Sequence, residues 1–317
     1  MENTVETELH FHNEPRAYPA YLSLSVAELQ SRAERALAGL NRCAACAVAC
    51  LADRQSGLAG QCRTGRYARV SSYFPHHGEE PPISGWRGSG TIFFSGCNLR
   101  CIYCQNHDIS QSDEGREVTD RQLAEIMLAL QDLGCHNINL VSPSHVVPQF
   151  LAALALAVPA GLRLPIVYNT GGYDSLATLR LLDGIVDIYM PDAKYDDDKI
   201  GARLSGVPHY ARVNRLVLKE MHRQVGVLRV DDRGIAVRGL LIRHLVLPSN
   251  LSGTAGVSRF IATELSRDTY VNVMSQYRPC YNAGQVESLR RRITRDEYVA
   301  AIGAARSAGL WKGFPQS

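Results

Sequence analysis

The sequence predicts an α/β fold built on a parallel sheet, led by a cysteine-rich segment. Three observations carry this reading. From Thr91 onward six short β-type runs alternate with helical runs, a pattern that implies parallel strands joined by right-handed crossovers. The residues that follow each run are polar or glycine-rich, as where β/α barrels build their active sites. Ahead of the alternation, Cys43, Cys46, Cys50 and Cys62 fall within a stretch of 20 residues. Such a sheet is either doubly wound or curved into an incomplete barrel.

The elements follow in order. Residues 1 to about 20 lack periodicity and are expected to be extended or mobile. A helix starts at Ser25, with Glu28 closing a capping box and Leu29, Ala33, Leu37 and Leu40 on one face. Residues 67–72 read as a strand. Residues 76–90 read as a Gly- and Pro-rich loop in which His77, Glu79 and Glu80 are grouped. Strands are then expected at 91–95, 137–142, 165–169, 186–190, 240–247 and 270–274. The intervening helices begin at Thr119, whose box partner is Gln122, and cover 148–158, 175–182, 199–204, 210–225 and 258–265. A last helix begins at Thr294, boxed by Glu297. Residues 1–86 are thus expected to form an extension with the metal-binding segment 43–62, and 87–317 the core.

Bulk properties exclude several classes. The 317 residues suffice for one large domain or two ordinary ones. The net charge of +3 gives no argument for a nucleic-acid or membrane-surface partner. No apolar run reaches transmembrane length, and the polar start, Met1 to Arg16, has no apolar signal core, so a cytoplasmic protein is expected. Nine cysteines, seven of them in two tight groups, suit metal or redox chemistry better than a disulfide framework.

The most informative stretch is Ser95-Gly-Cys97-Asn-Leu-Arg-Cys101-Ile-Tyr103-Cys104-Gln-Asn106. Three cysteines lie within eight residues directly after a strand, so a tight loop aims three thiolates at one centre. An iron–sulfur cluster held this way keeps one iron without a protein ligand, the arrangement that separates open catalytic metal sites from closed structural ones. A zinc knuckle with a distant fourth ligand is the alternative.

The Cys-x3-Cys-x-aromatic-Cys pattern at 97, 101 and 104 resembles the defining motif of the radical S-adenosylmethionine (SAM) superfamily. The segment 96–106 is similar to the pyruvate formate-lyase activating enzymes. Residues 43–309 resemble a sister branch labelled pyruvate formate-lyase activating enzyme-like, through 77–82, 88–96, 167–170, 184–189, 242–248 and 274–279.

The resemblance implies a partial (β/α)6 TIM-like barrel of radical SAM type. It implies a [4Fe-4S] cluster on Cys97, Cys101 and Cys104, with SAM as cofactor. It places Tyr103 at the adenine, Asp192 and Lys194 at the methionine part, and Arg243 near the carboxylate or ribose. Activating enzymes carry Gly-Gly-Glu after the second strand for the cofactor's amino group. This chain has Val141-Ser142-Pro143-Ser144-His145 there, so Ser142 and backbone carbonyls are the expected substitutes. Asn169 and Tyr173 follow the third strand, where ribose hydroxyls need partners.

Cys43, Cys46, Cys50 and Cys62 offer four thiols, which fits a structural zinc or a second iron–sulfur cluster, or the first three bind and Cys62 stays free. His77, Glu79 and Glu80 are expected at the barrel mouth or in a solvated loop. His145 is expected as a polar contact at a strand end. Gln276, Tyr277 and Arg278 are expected at the substrate entrance, Cys280 beside them, and Cys135 in the core. Asp187, Asp192 and Asp196–Asp198 otherwise read as turn and surface charges.

Three functions compete. One is a radical enzyme activating a glycyl-radical protein, fed by a flavodoxin- or ferredoxin-like donor. The second is a radical enzyme acting on a small molecule, peptide or RNA. The third is a non-catalytic iron–sulfur carrier or zinc-binding module.

Overall fold

The computed structural model describes residues 18–112 and 114–314. The extended lead expected over 1–20 therefore lies, up to residue 17, outside the described residues.

Helix α1 (Val26–Ala38) begins where Ser25 accepts the Glu28 N–H. Only that half of the expected box forms, because the Glu28 carboxylate takes the Arg32 guanidinium one turn on. Leu29, Ala33 and Leu40 are buried and Leu37 is partly so, and α1 packs on the outer helix α5 introduced below.

Strand β1 (Ala68–His76) runs antiparallel to β2 (Ser89–Phe94). Between them the expected loop contains a short helix, α2 (Pro81–Ser84), started by two prolines whose missing N–H groups cost a first turn nothing. The short helix α3 (His107–Ser110) and strand β3 (Arg116–Val118) were not expected; β3 extends the antiparallel flap on β1.

The alternation follows as expected: α4 (Asp120–Asp132), β4 (Ile138–Val141), α5 (Val147–Ala157), β5 (Ile166–Thr170), α6 (Leu176–Leu181), β6 (Ile188–Pro191), α7 (Asp198–Ser205) and α8 (Tyr210–Val225). Then come β7 (Arg229–Val230), β8 (Ala236–Leu245), α9 (Thr254–Glu264), β9 (Tyr270–Met274) and α10 (Arg295–Ser307). Full capping boxes open α4 at Thr119 and α10 at Thr294. Helix α9 begins four residues earlier than expected, because the left-handed Gly253 releases the chain into it.

The parallel strands pair in chain order, β2, β4, β5, β6, β8 and β9. A doubly wound sheet reverses its order at a switch point; this one never does, so it is the incomplete barrel. It is an α/β fold with a mixed sheet, since β1, β3 and β7 add antiparallel edges. Among the described residues no pairing of β9 with β2 closes the ring. Asn272 on β9 instead donates to Glu80, which precedes α2, at 2.8 Å. No helix among the described residues is long and apolar enough to cross a membrane.

Candidate functional site

At the C-terminal ends of the parallel strands lies a cavity of about 250 Å3. Its wall brings together Cys97, Cys101, Cys104 and Tyr103 after β2, Ser142 after β4, and Asn169 at the end of β5. Asp192 and Lys194 follow β6, Arg243 comes from β8, and Gln276 follows β9. Of the residues expected to touch the cluster or the cofactor, all but Tyr173 are among them.

The cysteine loop is held from below. Leu99 and Tyr103 join a second apolar cluster with Tyr195, Leu204, Tyr210 and Tyr277. The Arg100 and Ile102 N–H groups donate to the Ser205 and Leu204 carbonyls at 2.8 and 2.9 Å, pinning the loop to the end of α7. Each sulfur has a polar neighbour: the Leu99 N–H donates to Cys97 at 3.4 Å, whose thiol also faces the Asn98 side-chain oxygen at 3.8 Å, and the Ser205 and Ser110 hydroxyls lie 3.0 and 3.2 Å from Cys101 and Cys104. Burial pushes the Cys97 thiol up to about 12 and raises Cys101 as well. A metal centre must therefore displace their protons, as coordination does.

Opposite the sulfurs runs a chain of alternating charge. Lys194 donates to Asp192 at 2.5 Å, and Arg243 donates to the other Asp192 oxygen at 3.2 Å and to Asn169 at 2.9 Å. Arg243 also faces Glu79 at 3.6 Å. Burial alone would raise the Asp192 carboxyl, but Lys194 and Arg243 outweigh it and hold it below the carboxylate range. Burial likewise opposes charge on Lys194, and Asp192 overrules it, so the amine is raised. The two cations and two carboxylates balance, so a zwitterion can enter without leaving a net charge buried.

Several expectations are corrected. Asp187 and Asp192 are bonded partners rather than surface charges: Asp187 is buried and accepts the Ala20 and Ile166 N–H groups, and Asp192 is mostly enclosed between Lys194 and Arg243. Glu79 and Glu80 are not at the mouth. They line a neighbouring open cavity beside β9 with Arg243, Asn272, Met274 and Gln276, where Glu79 accepts from Asn139 at 3.1 Å and from Asn169 at 3.4 Å and meets Arg243. Burial raises the Glu79 carboxyl, with Arg243 opposing. His77 is exposed beside Gly88, away from both.

Tyr277 does not line an entrance; it is buried, donating to the Leu289 carbonyl with its ring edge-on to Tyr103. Tyr173 is also buried, donating to the Pro208 carbonyl at 2.9 Å. The Tyr103 hydroxyl is bonded to Tyr195 at 2.5 Å, which leaves its ring face and backbone as the groups offered to the cavity it lines. Gln276 lines the cavity, Arg278 is exposed, Cys280 is partly buried and Cys135 is buried in the core. Glu79 was legible only as one acidic residue in a loop. The interior Asn139 and Asn169, polar positions on buried strands, were the signal that a partner enters there.

An uncharacterized protein of Methanocaldococcus jannaschii is 32% identical over 276 residues, covering 84% of this chain and 75% of that one. The radical SAM superfamily model matches residues 91–227. Residues 91–227 thus carry a radical SAM superfamily domain. Radical SAM enzymes use a [4Fe-4S] cluster and SAM and draw on a reductant, and these are this enzyme's cofactors.

Similar solved structures include a radical SAM methyltransferase from Sphaerobacter thermophilus (13% identity, TM-score 0.44, covering 69% of this chain and 64% of that one). They also include Streptococcus suis SuiB bound to the precursor peptide SuiA (15%, TM-score 0.44, 68% and 45%). TYW1 with a lysine-pyruvate adduct bound is a third (10%, TM-score 0.44, 70% and 74%). The chain thus spans less than two thirds of the methyltransferase and of SuiB.

Proposed function

We propose that Cys97, Cys101 and Cys104 hold the [4Fe-4S] cluster and that SAM binds in the adjoining cavity. The single observation that carries this is the convergence of three thiols and a balanced row of enclosed charges on one cavity. When bound, the cluster supplies the electron that splits a sulfur–carbon bond of SAM and yields a 5′-deoxyadenosyl radical. The protein's part is orientation and shielding. Asp192 offers a carboxylate to an ammonium, and Lys194 and Arg243 offer N–H donors to a carboxylate or ribose. Ser142, held in a left-handed turn with its N–H donating to the Asn169 carbonyl at 2.8 Å, stands where activating enzymes carry their acidic residue. The buried tyrosines beneath the loop keep water from the reacting atoms.

Such chemistry would serve to take a hydrogen atom from a substrate held at this cavity. The resemblance over 96–106 favours a glycyl-radical protein, with a flavodoxin- or ferredoxin-like donor supplying electrons. The changed 141–145 segment and the extra cysteines favour a different substrate, a small molecule, peptide or RNA. The test is anaerobic: reconstitute, reduce, add SAM and quantify 5′-deoxyadenosine beside Cys101→Ala. The native chain alone should form it. A reconstituted, reduced native protein that forms no more than the variant, with or without a substrate pool, refutes the reading. A glycyl-radical signal by electron paramagnetic resonance on a partner protein separates the two substrates.

A further inference from the structure

Behind the loop that carries Cys97 lies a second, smaller cavity of about 10 Å3. Cys43, Cys46, Cys50 and Cys62 all line it, together with Arg54, Asn98 and His145. The cysteines sit on irregular backbone tied together by hydrogen bonds: the Cys43 N–H donates to the Ala52 carbonyl and the Leu51 N–H to the Cys43 carbonyl, at 3.0 and 2.9 Å. Gly60 stands directly against two of the sulfurs. A Cβ there would lie 2.9 Å from the Cys50 sulfur and 3.7 Å from that of Cys62.

Arg54 is wholly buried. Its Nε donates to the Gly65 carbonyl at 3.0 Å, and Nη1 donates to the His145 carbonyl at 2.8 Å and lies 3.4 Å from the Cys43 sulfur. Its Nη2 has no partner among the described residues. A guanidinium is always charged, and a buried charge requires an opposite one. Arg54 bonds two carbonyls and a thiol, and no carboxylate. His145 supplies no counter-charge either, since an imidazole is neutral or cationic. The missing anion must come from the sulfur site.

A metal centre bound by four thiolates is such an anion. The shape decides which kind. Four sulfurs around one zinc ion lie about 2.3 Å from its centre and leave no room for a water-sized sphere among them. The cavity the four cysteines share with Asn98 and His145 admits a water-sized sphere, and no group of three or more His, Cys, Asp and Glu side chains among the described residues gathers as around a single ion. A four-iron cube spreads its ligating sulfurs farther apart. We propose that Cys43, Cys46, Cys50 and Cys62 hold a second iron–sulfur cluster, ligated at every corner, with Arg54 as its buried counter-ion. The cluster backs directly onto the catalytic loop. Asn98, which lines its cavity, adjoins Cys97, and a Cβ on Gly96 would lie 2.2 Å from the Cys62 carbonyl oxygen.

The test leaves the first site out. The Cys97→Ala/Cys101→Ala/Cys104→Ala variant is purified and reconstituted anaerobically, and its iron, sulfide and zinc are measured beside the native chain. About eight iron atoms per native chain and about four in the variant are expected, with a matching sulfide content and a four-iron signature by Mössbauer spectroscopy. The complementary Cys46→Ala/Cys50→Ala variant should also keep about four iron atoms, now at the first site. Arg54→Met, in the triple-variant background, should shift the remaining cluster's midpoint to a more negative potential, because a cation that favours the reduced form is gone. A folded triple variant, by circular dichroism, that binds no iron and sulfide overturns the proposal. One zinc per chain, lost in Cys46→Ala/Cys50→Ala, overturns it as well. Iron retained in the triple variant supports the proposal whether or not the native chain forms 5′-deoxyadenosine, so the two readings fail separately.

Discussion

The two cysteine groups lie on either side of the loop that follows β2, and they differ in what faces them. Cys97, Cys101 and Cys104 face a cavity of about 250 Å3 walled by Asp192, Lys194 and Arg243, whose charges balance once Glu79 beside Arg243 is counted. Cys43, Cys46, Cys50 and Cys62 face about 10 Å3 and one unbalanced cation, Arg54. An open site needs spare ligand positions and neutral surroundings, so that a charged cofactor can come and go. A closed site needs a full ligand set and a fixed counter-ion. The same residue type thus serves opposite ends, and the neighbours rather than the cysteines decide which.

The largest expected effect falls where the two sites touch. Gly96→Ala puts a Cβ into the Cys62 carbonyl at a φ of +79°. Left-handed strain and backbone displacement together should cost about 4 kcal/mol of stability. Urea midpoints and iron content read the outcome, and loss of iron from both sites is expected. A variant as stable as the native chain would show that the two regions are independent.

Next comes the open site. Lys194→Met strips one partner from the enclosed Asp192 and should cost about 3 kcal/mol. It should weaken SAM binding by calorimetry while leaving the iron chromophore intact. Unchanged SAM affinity would remove Lys194 from the cofactor's contacts.

The tether of the cysteine-bearing extension offers a pH handle. Burial lifts the Asp187 carboxyl from its ordinary 3.8 to about 6, although the Ala20 and Ile166 N–H groups oppose this. The folded chain therefore holds this proton more tightly than the unfolded one. Its contribution is present below about pH 4 and is lost as the pH rises to about 6, a change of at most about 3 kcal/mol. Asp187→Asn should flatten the stability profile across that window, measured by melting temperature at each pH. Parallel profiles for variant and native chain would refute the assignment.

The smallest effect is expected beside the open site. Glu79→Gln keeps the shape but removes the carboxylate that faces Arg243 at 3.6 Å. It should lower the apparent affinity for SAM about fivefold, with about 1 kcal/mol lost. A larger loss of turnover at unchanged affinity would instead place Glu79 in the chemistry.

The sequence by itself determined the alternation of strands and helices, the capped starts of α4 and α10 and the cysteine loop, because periodicity, caps and short ligand spacings are local in the chain. The resemblance carried by that loop also named the residues that meet at the cavity. Other features became visible only in the tertiary structure. Strand pairing in chain order chose the barrel over the doubly wound sheet. The burial of Asp187, the enclosure of Asp192 against Arg243, the approach of Glu79 to Arg243, the burial of Tyr277 and the bond from the Tyr103 hydroxyl to Tyr195 depend on elements more than 50 residues apart or on packing from several directions. Arg54 shows the difference most clearly. As a letter in the chain it is one arginine in a polar stretch. Buried against the Cys43 sulfur with one nitrogen unpartnered, it points to the charge of what the cysteines hold, because a buried charge reveals its partner only once the fold has excluded water around it.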